Sequence, residues 1–210
     1  MALDLEEQEQ VAELKAWWEQ HGMLVTSVLL AVALGVAGWQ GWNWYQREQA
    51  AQASVLYDTV VKAVQVGDAK AMRDASGALV EKYSRTLYAS MGALSAARFY
   101  HDRKDTKSAK AQLQWVVDHS PSDDFRDLAR LRLAAVLMDE NAYDEALRLL
   151  EEKHGAAYDA QYAALRGDLL MAKKQTADAK AAYKIALDKA DKNDAPFRES
   201  VRMRLDALGG

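Results

Sequence analysis

Two rhythms of hydrophobic and polar positions divide this chain. Between Gly22 and Gln46 there is no Asp, Glu, Lys or Arg, and Met23 to Trp39 is apolar apart from Thr26 and Ser27. A hydrocarbon core of ~30 Å takes about 20 such residues as a helix, so the run predicts one membrane crossing over residues 22–46. Trp17 and Trp18 precede it, and Trp39, Trp42, Trp44 and Tyr45 close it. At about 1.5 Å per residue Trp18 and Trp39 stand ~31 Å apart, which sets their rings at the two headgroup levels. A cleaved signal peptide is the rival, because Ala31-Val32-Ala33 has the small-x-small form of a cleavage site. The leader argues against it: Asp4, Glu6, Glu7, Glu9, Glu13 and Glu19 face Lys15 alone, whereas a secretory leader is short and basic. An uncleaved anchor is therefore expected. Its direction stays open, since Lys15 on one side and Arg47 with Lys62 on the other give no usable positive-inside bias.

Elsewhere the apolar residues recur at helical spacing. Residues 1–21 read as a short amphipathic helix, with Asp4 and Glu7 at capping-box spacing, Val11, Leu14 and Trp18 on one face, and Gly22 as its stop. A solvated leader and a helix lying on the membrane surface or on a partner fit this pattern equally. Past Tyr45 the helix is expected to run to Val66 and break at Gly67-Asp68. Further helices are predicted at 69–83, 86–102, 106–119, 123–139, 142–153, 157–172, 176–190 and 195–208. Their separators are Ser84, Lys104-Asp105, Ser120-Pro121, Asn141, Gly155, Lys174-Gln175 and Asn193-Asp194. With two prolines, Pro121 and Pro196, abundant alanine and no Asn-Gly or Asp-Gly hairpin signal, the fold class is all-α.

The helical part repeats. Ala109, Ala146 and Ala179 are each followed four residues later by a larger residue, Leu113, Leu150 and Tyr183, and each is preceded by a small one twelve residues earlier, Ala97, Ala134 and Gly167. The spacing is close to the 34 residues of a tetratricopeptide repeat, whose small residues let paired helices approach closely. AYDEALRLL, Ala142 to Leu150, resembles the second-helix signature of that repeat, and Pro121 falls at a repeat end. The unit around Gly67 is barely recognisable. A single N-terminal transmembrane helix followed by a tetratricopeptide-repeat-like helical solenoid is the expected architecture.

Over its whole length the chain resembles the YfgM family, the ancillary subunit of the bacterial SecYEG translocon. The acidic leader EEQEQVAELKAWWEQHG, one crossing, the GWQGWNWYQ exit and the degenerate repeats carry the likeness. The resemblance implies a bacterial inner-membrane protein with a cytoplasmic leader over 1–21, a crossing over 22–46 and a periplasmic repeat domain over 47–210. It also implies work beside SecYEG with a PpiD-like periplasmic chaperone, and unfolded or nascent polypeptides as clients.

Charge and composition exclude other classes. The formal net charge of −4 is concentrated in residues 1–46, with six acids and one base, which leaves the rest nearly neutral. No basic block calls for nucleic acid. There is no cysteine, hence no disulfide or thiolate metal site. His21, His101, His119 and His154 are isolated, and no phosphate loop, nucleophile elbow or zinc-protease motif occurs. No cofactor, metal or catalytic residue is expected. Asp123-Asp124 and Glu151-Glu152 fit helix ends.

Binding is better supported. The family rule that first helices line the concave face points to a groove of Met91, Leu94, Arg98 and His101, then Leu128, Leu131, Ala135 and Met138, then Gln161, Ala164, Asp168 and Met171. Its methionines suit adaptable apolar contacts, although packing between helices accounts for apolar residues at the same spacing. In the crossing, Ser27, Ala31, Gly35 and Gly38 form a small-residue stripe that permits close helix contact in lipid. The expected function is a membrane-anchored module at the Sec translocon that assists hand-over to periplasmic chaperones. The alternative is a regulatory or assembly scaffold for one envelope protein.

Overall fold

The computed structural model describes residues 5–209, with side chains from residue 9 onward. The described residues fold into helices alone: α1 (Leu5–Val66), α2 (Ala69–Lys82), α3 (Leu87–Asp102), α4 (Thr106–His119), α5 (Asp123–Asp139), α6 (Tyr143–Glu151), α7 (Asp159–Ala172), α8 (Thr176–Lys189) and α9 (Ala195–Asp206), with a 3-10 turn at Ala156–Tyr158. The chain divides into two units between Glu48 and Gln49.

The first unit is the N-terminal part of α1. Its apolar side chains are uncovered by protein: Leu24, Leu34 and Trp39 are about two-thirds exposed. α1 is the one helix among the described residues that is long and apolar enough to cross a membrane. The expected stop at Gly22 does not occur, because α1 runs straight through it. One glycine costs a helix only ~1 kcal/mol relative to alanine, too little to end it between strong helix formers. Trp18 covers the glycine, its indole 3.1 Å from where a Cβ would stand. The hydroxyls of Thr26 and Ser27 donate back to the carbonyls of Gly22 and Met23, both at 2.7 Å, so they stay satisfied in an apolar setting. The capping box expected at Asp4 and Glu7 lies outside the described residues.

The second unit is an array of helical hairpins. Gly67, Lys104, Asn141 and Lys174 take left-handed backbone angles, with φ of 80°, 64°, 64° and 62°. Each turn is closed in the same way, by N–H groups of consecutive residues. Lys104 donates to His101 and Asp105 to Tyr100; Asn141 donates to Met138 and Ala142 to Leu137; Lys174 donates to Met171 and Gln175 to Leu170. Gly67 donating to Val64 and Asp68 to Ala63 show the same motif. The end of α1 and α2 therefore form a first hairpin, built like α3–α4, α5–α6 and α7–α8, although its sequence hides the pattern: Met72 stands where the other hairpins carry alanine. Asp68 and Asp105 cap α2 and α4 by accepting N–H bonds from the first turn.

The small positions expected from the repeat lie in the core. Ala109, Ala146 and Ala179 are fully buried, and Leu113, Leu150 and Tyr183 and the small partners Ala97 and Ala134 are buried as well. At the last of these positions Gly167 leaves room for the Tyr183 ring. Three hydrophobic clusters follow one another along the array, the first holding Ala53, Val60 and Ala63 of α1 with Met72 and Leu79. The middle one joins α3 to α7, and the last joins α7, α8 and Val201 of α9.

Helix ends differ from expectation by more than one residue at two places. α6 stops at Glu151 and α7 starts at Asp159, where helices were expected to reach 153 and to begin at 157; α9 ends at Asp206 instead of 208. Between α6 and α7, Glu152 turns extended with ψ 146° and the 3-10 turn precedes Asp159.

Candidate functional site

The hairpin period makes positions in the first helices equivalent. Met91, Leu128 and Gln161 form one such set, Leu94, Leu131 and Ala164 a second, Arg98, Ala135 and Asp168 a third, and His101, Met138 and Met171 a fourth. The second set turns inward: Leu94 and Ala164 are buried and Leu131 packs on the middle core, so Leu94 offers no binding surface. Met91, Leu128, Gln161, Ala135, Met138 and Met171 are half-buried, and Arg98 and His101 are exposed. Met138 leans on the middle core and Met171 on the last. One stripe thus joins half-covered apolar groups to the exposed polar ends of Arg98 and His101.

Asp168 is already committed. Its carboxylate accepts the Tyr183 hydroxyl at 2.8 Å and Arg204 Nη1 of α9 at 2.8 and 3.1 Å, which ties α7 to α8 and α9. Burial and the adjacent carboxylate both raise the Tyr183 pKa. Gln161 is in the opposite condition: its Oε1 is buried and has no hydrogen-bond donor among the described residues.

A fifth set, Ser95, Arg132 and Leu165, lies on the same face and was not singled out by the sequence pattern. Arg132 is exposed overall, yet desolvation and the Arg98 guanidinium both lower its pKa, while the Tyr158 hydroxyl favours its charge. Ser95 is tied to its own helix, donating to Met91 O at 2.8 Å.

A cleft of about 740 Å³ opens on the other side of α7. Arg166 and Leu170 of α7, Ile185 of α8 and Leu150 at the end of α6 line it. It exists because α6 has nine residues where α4 and α8 have 14. The early end leaves the N-terminal half of α7 without the cover that α4 gives α5. At one end of the cleft the His154 ring stacks on Tyr162 at 3.9 Å, with Nε2 3.4 Å from Asp159 Oδ1 and Lys189 Nζ 3.8 Å from Oδ2.

Asp127, 3 % exposed, holds this end in place. It accepts Arg130 Nη1 at 2.7 Å and the Gly155 N–H at 2.8 Å, and its backbone carbonyl accepts the Tyr162 hydroxyl at 2.9 Å. Burial, then the Asp127 charge, pushes the Tyr162 pKa up to about 12. Asp127, in the second turn of α5, looks in the sequence like any solvated helix acid, so only its contacts mark it. In the crossing, Gly35 and Gly38 have open space where a Cβ would stand, and Ser27 and Ala31 are exposed. No group of three or more metal-ligating side chains occurs among the described residues.

Paired antiparallel helices in tandem, with small residues at the crossing points and left-handed turns at a repeating interval, define a tetratricopeptide-repeat-like protein. Residues 15–210 match the family described as a tetratricopeptide repeat-like domain. Curated relatives extend over the crossing as well. The ancillary SecYEG translocon subunit of Haemophilus influenzae is 30 % identical, covering 99 % of this chain and 100 % of its own length. That of Neisseria gonorrhoeae is 29 % identical with the same coverage, and that of Escherichia coli is 29 % identical over 96 % of each chain. The chain belongs to this family, the ancillary SecYEG translocon subunits with a tetratricopeptide-repeat-like domain.

Proposed function

We propose that this protein is a single-pass inner-membrane module of the SecYEG translocon, with its leader in the cytoplasm and its repeats in the periplasm. There it assists the passage of translocated chains to a PpiD-like periplasmic chaperone. The observation that carries the reading is the full-length likeness to proteins named ancillary SecYEG translocon subunits. The half-buried stripe of Met91, Leu128, Met138 and Met171 supports a polypeptide as what it holds. No turnover is required: a tethered surface meets emerging chains at high effective concentration without high intrinsic affinity.

Photo-crosslinkers at Met91, Met138 and Gly35 in native membranes test this. SecYEG subunits are expected from Gly35, and many nascent chains from Met91 and Met138. Absence of translocon subunits from every position would sink the proposal. The well-formed cleft beside Ile185 favours a second reading, a scaffold for one envelope protein. A single dominant product from Ile185, with none from Met91 or Met138, would select it.

A further inference from the structure

The array itself shows what it ordinarily puts where α6 stops short. α4 ends in Trp115-Val116-Val117-Asp118-His119, whereas the corresponding stretch of the next hairpin begins at Glu152, where α6 has already ended. Val116 is fully buried in the middle cluster, and Trp115 packs on both the first and the middle cluster. In α8 the position of Trp115 falls to Ile185, which is about half exposed and lines the cleft instead of closing it. α7 differs at the same place. Ala96 of α3 and Leu133 of α5, both buried, correspond to Arg166, which is exposed and takes part in no hydrogen bond or ion pair among the described residues. The acids of the cleft are engaged: Asp159 faces His154 and Lys189, and Asp178 stands in the first turn of α8, where the helix N-terminus favours it. The cleft thus combines an apolar floor of Leu150, Ala163, Leu170 and Ala182 with one unbalanced cation.

We propose that this cleft takes a short helical segment of another protein in the place that the last turns of α6 leave open, the segment presenting an aromatic ring and branched apolar side chains to the floor and an acid to Arg166. The end of α4 has that composition, and its fit over the neighbouring hairpins is the template. The array of a second copy offers no such ring: among the described residues its exposed large apolar side chains are Val55, Val66, Leu87, Ile185 and Met203. This rests on the scaffold reading given above and adds what the held protein must present. An aromatic side chain in a preformed pocket supplies most of the affinity of such contacts, and the arginine fixes the direction of the segment.

The full-length protein in detergent micelles, with a fluorescent peptide of the α4 sequence held helical by a lactam bridge, provides the test, empty micelles serving as the blank. Anisotropy should show saturable binding that weakens about tenfold or more when Trp115→Ala is made in the peptide, and about threefold when Arg166→Gln removes the cation from the protein. Ile185→Trp should abolish binding by closing the cleft from within, as Trp115 closes its own hairpin, and should melt at or above the parent temperature. Ala181→Glu, on the exposed rim, should abolish binding without touching the core, whereas Lys184→Gln, exposed on α8 outside the cleft, should leave it unchanged. Absence of saturable binding, equal binding of the Ala peptide, or undiminished binding to both Ile185→Trp and Ala181→Glu would overturn the inference, as would self-association of the parent that the peptide competes away. The scaffold reading is judged separately. A single envelope protein crosslinked from Ile185 that the peptide fails to displace leaves that reading standing and removes the aromatic plug.

Discussion

A Cβ placed on Gly167 would lie 2.4 Å from Tyr183 Cε1, so the Tyr183 ring fills the space beside the glycine. The contact joins the two helices of the last hairpin. Gly167→Ala should cost about 1–3 kcal/mol, because a ring held by its hydroxyl bond to Asp168 cannot step aside. In a Tyr183→Ala background the same change should become neutral or stabilising by up to about 1 kcal/mol, the helix preference of alanine over glycine. Gly92→Ala is milder, since the obstructing atom, 2.5 Å away, is the end of the Leu79 side chain. A double-mutant cycle by urea unfolding checks the coupling; additive effects would refute it.

Removing the Asp127 carboxylate strands two donors at once. Asp127→Ala should lower stability by about 3 kcal/mol and Asp127→Asn by less, because the amide oxygen still accepts one of the two bonds. Hydrogen exchange should localise the loss to the Gly155 N–H and the start of α7. Unchanged protection of that amide in Asp127→Ala would contradict the assignment.

Left-handed angles cost an L-residue about 1–2 kcal/mol, offset in part by the greater freedom glycine has when unfolded. Lys104→Gly and Lys174→Gly should each raise stability by about 0.5–1 kcal/mol, while Gly67→Ala should lower it. Chemical denaturation midpoints at constant m-value decide the matter.

Acid and alkali should weaken the array for different reasons. A side-chain hydrogen bond holds Asp105, Glu140 and Asp144 below their ordinary values, donated by Ser108, Lys110 and Lys173 respectively. Their contribution is present above the ordinary carboxylate range and is lost as pH falls through the folded-state values. Tyr162, raised from 10.0 to about 12, works in the other direction. Its stabilisation is complete below pH 10 and disappears as pH rises toward 12, and Tyr183 acts in the same sense. Melting temperature should therefore be flat across neutral pH and fall on both sides. Tyr162→Phe with Tyr183→Phe should flatten the alkaline side; an unaltered slope there would show that other groups control it.

Helix periods and the small-residue interval made most of the architecture readable, because burial of one face imposes them at every hairpin. The Gly22 stop was misread since glycine is a weak breaker when backbone donors and acceptors have no alternative partner. The first hairpin was barely recognisable as a repeat because Met72 fills the position that alanine marks elsewhere, while its turn at Gly67 is like the others. The cleft was invisible for another reason. Glu151, Glu152 and Lys153 all favour helix, and the end of α6 is set by the chain turning toward Asp127.

Ala53, Val60 and Ala63, buried in the first cluster of the array, belong to the same helix as the apolar run. A fragment beginning after residue 60 would lose half of the first hairpin and bare Met72 and Leu79, so a cut between Ala53 and Ala63 would start to unravel the array, whereas a cut before Gln49 would leave its core residues in place. The last five turns of α1 are thus a structural member of the array, and the first hairpin depends on them.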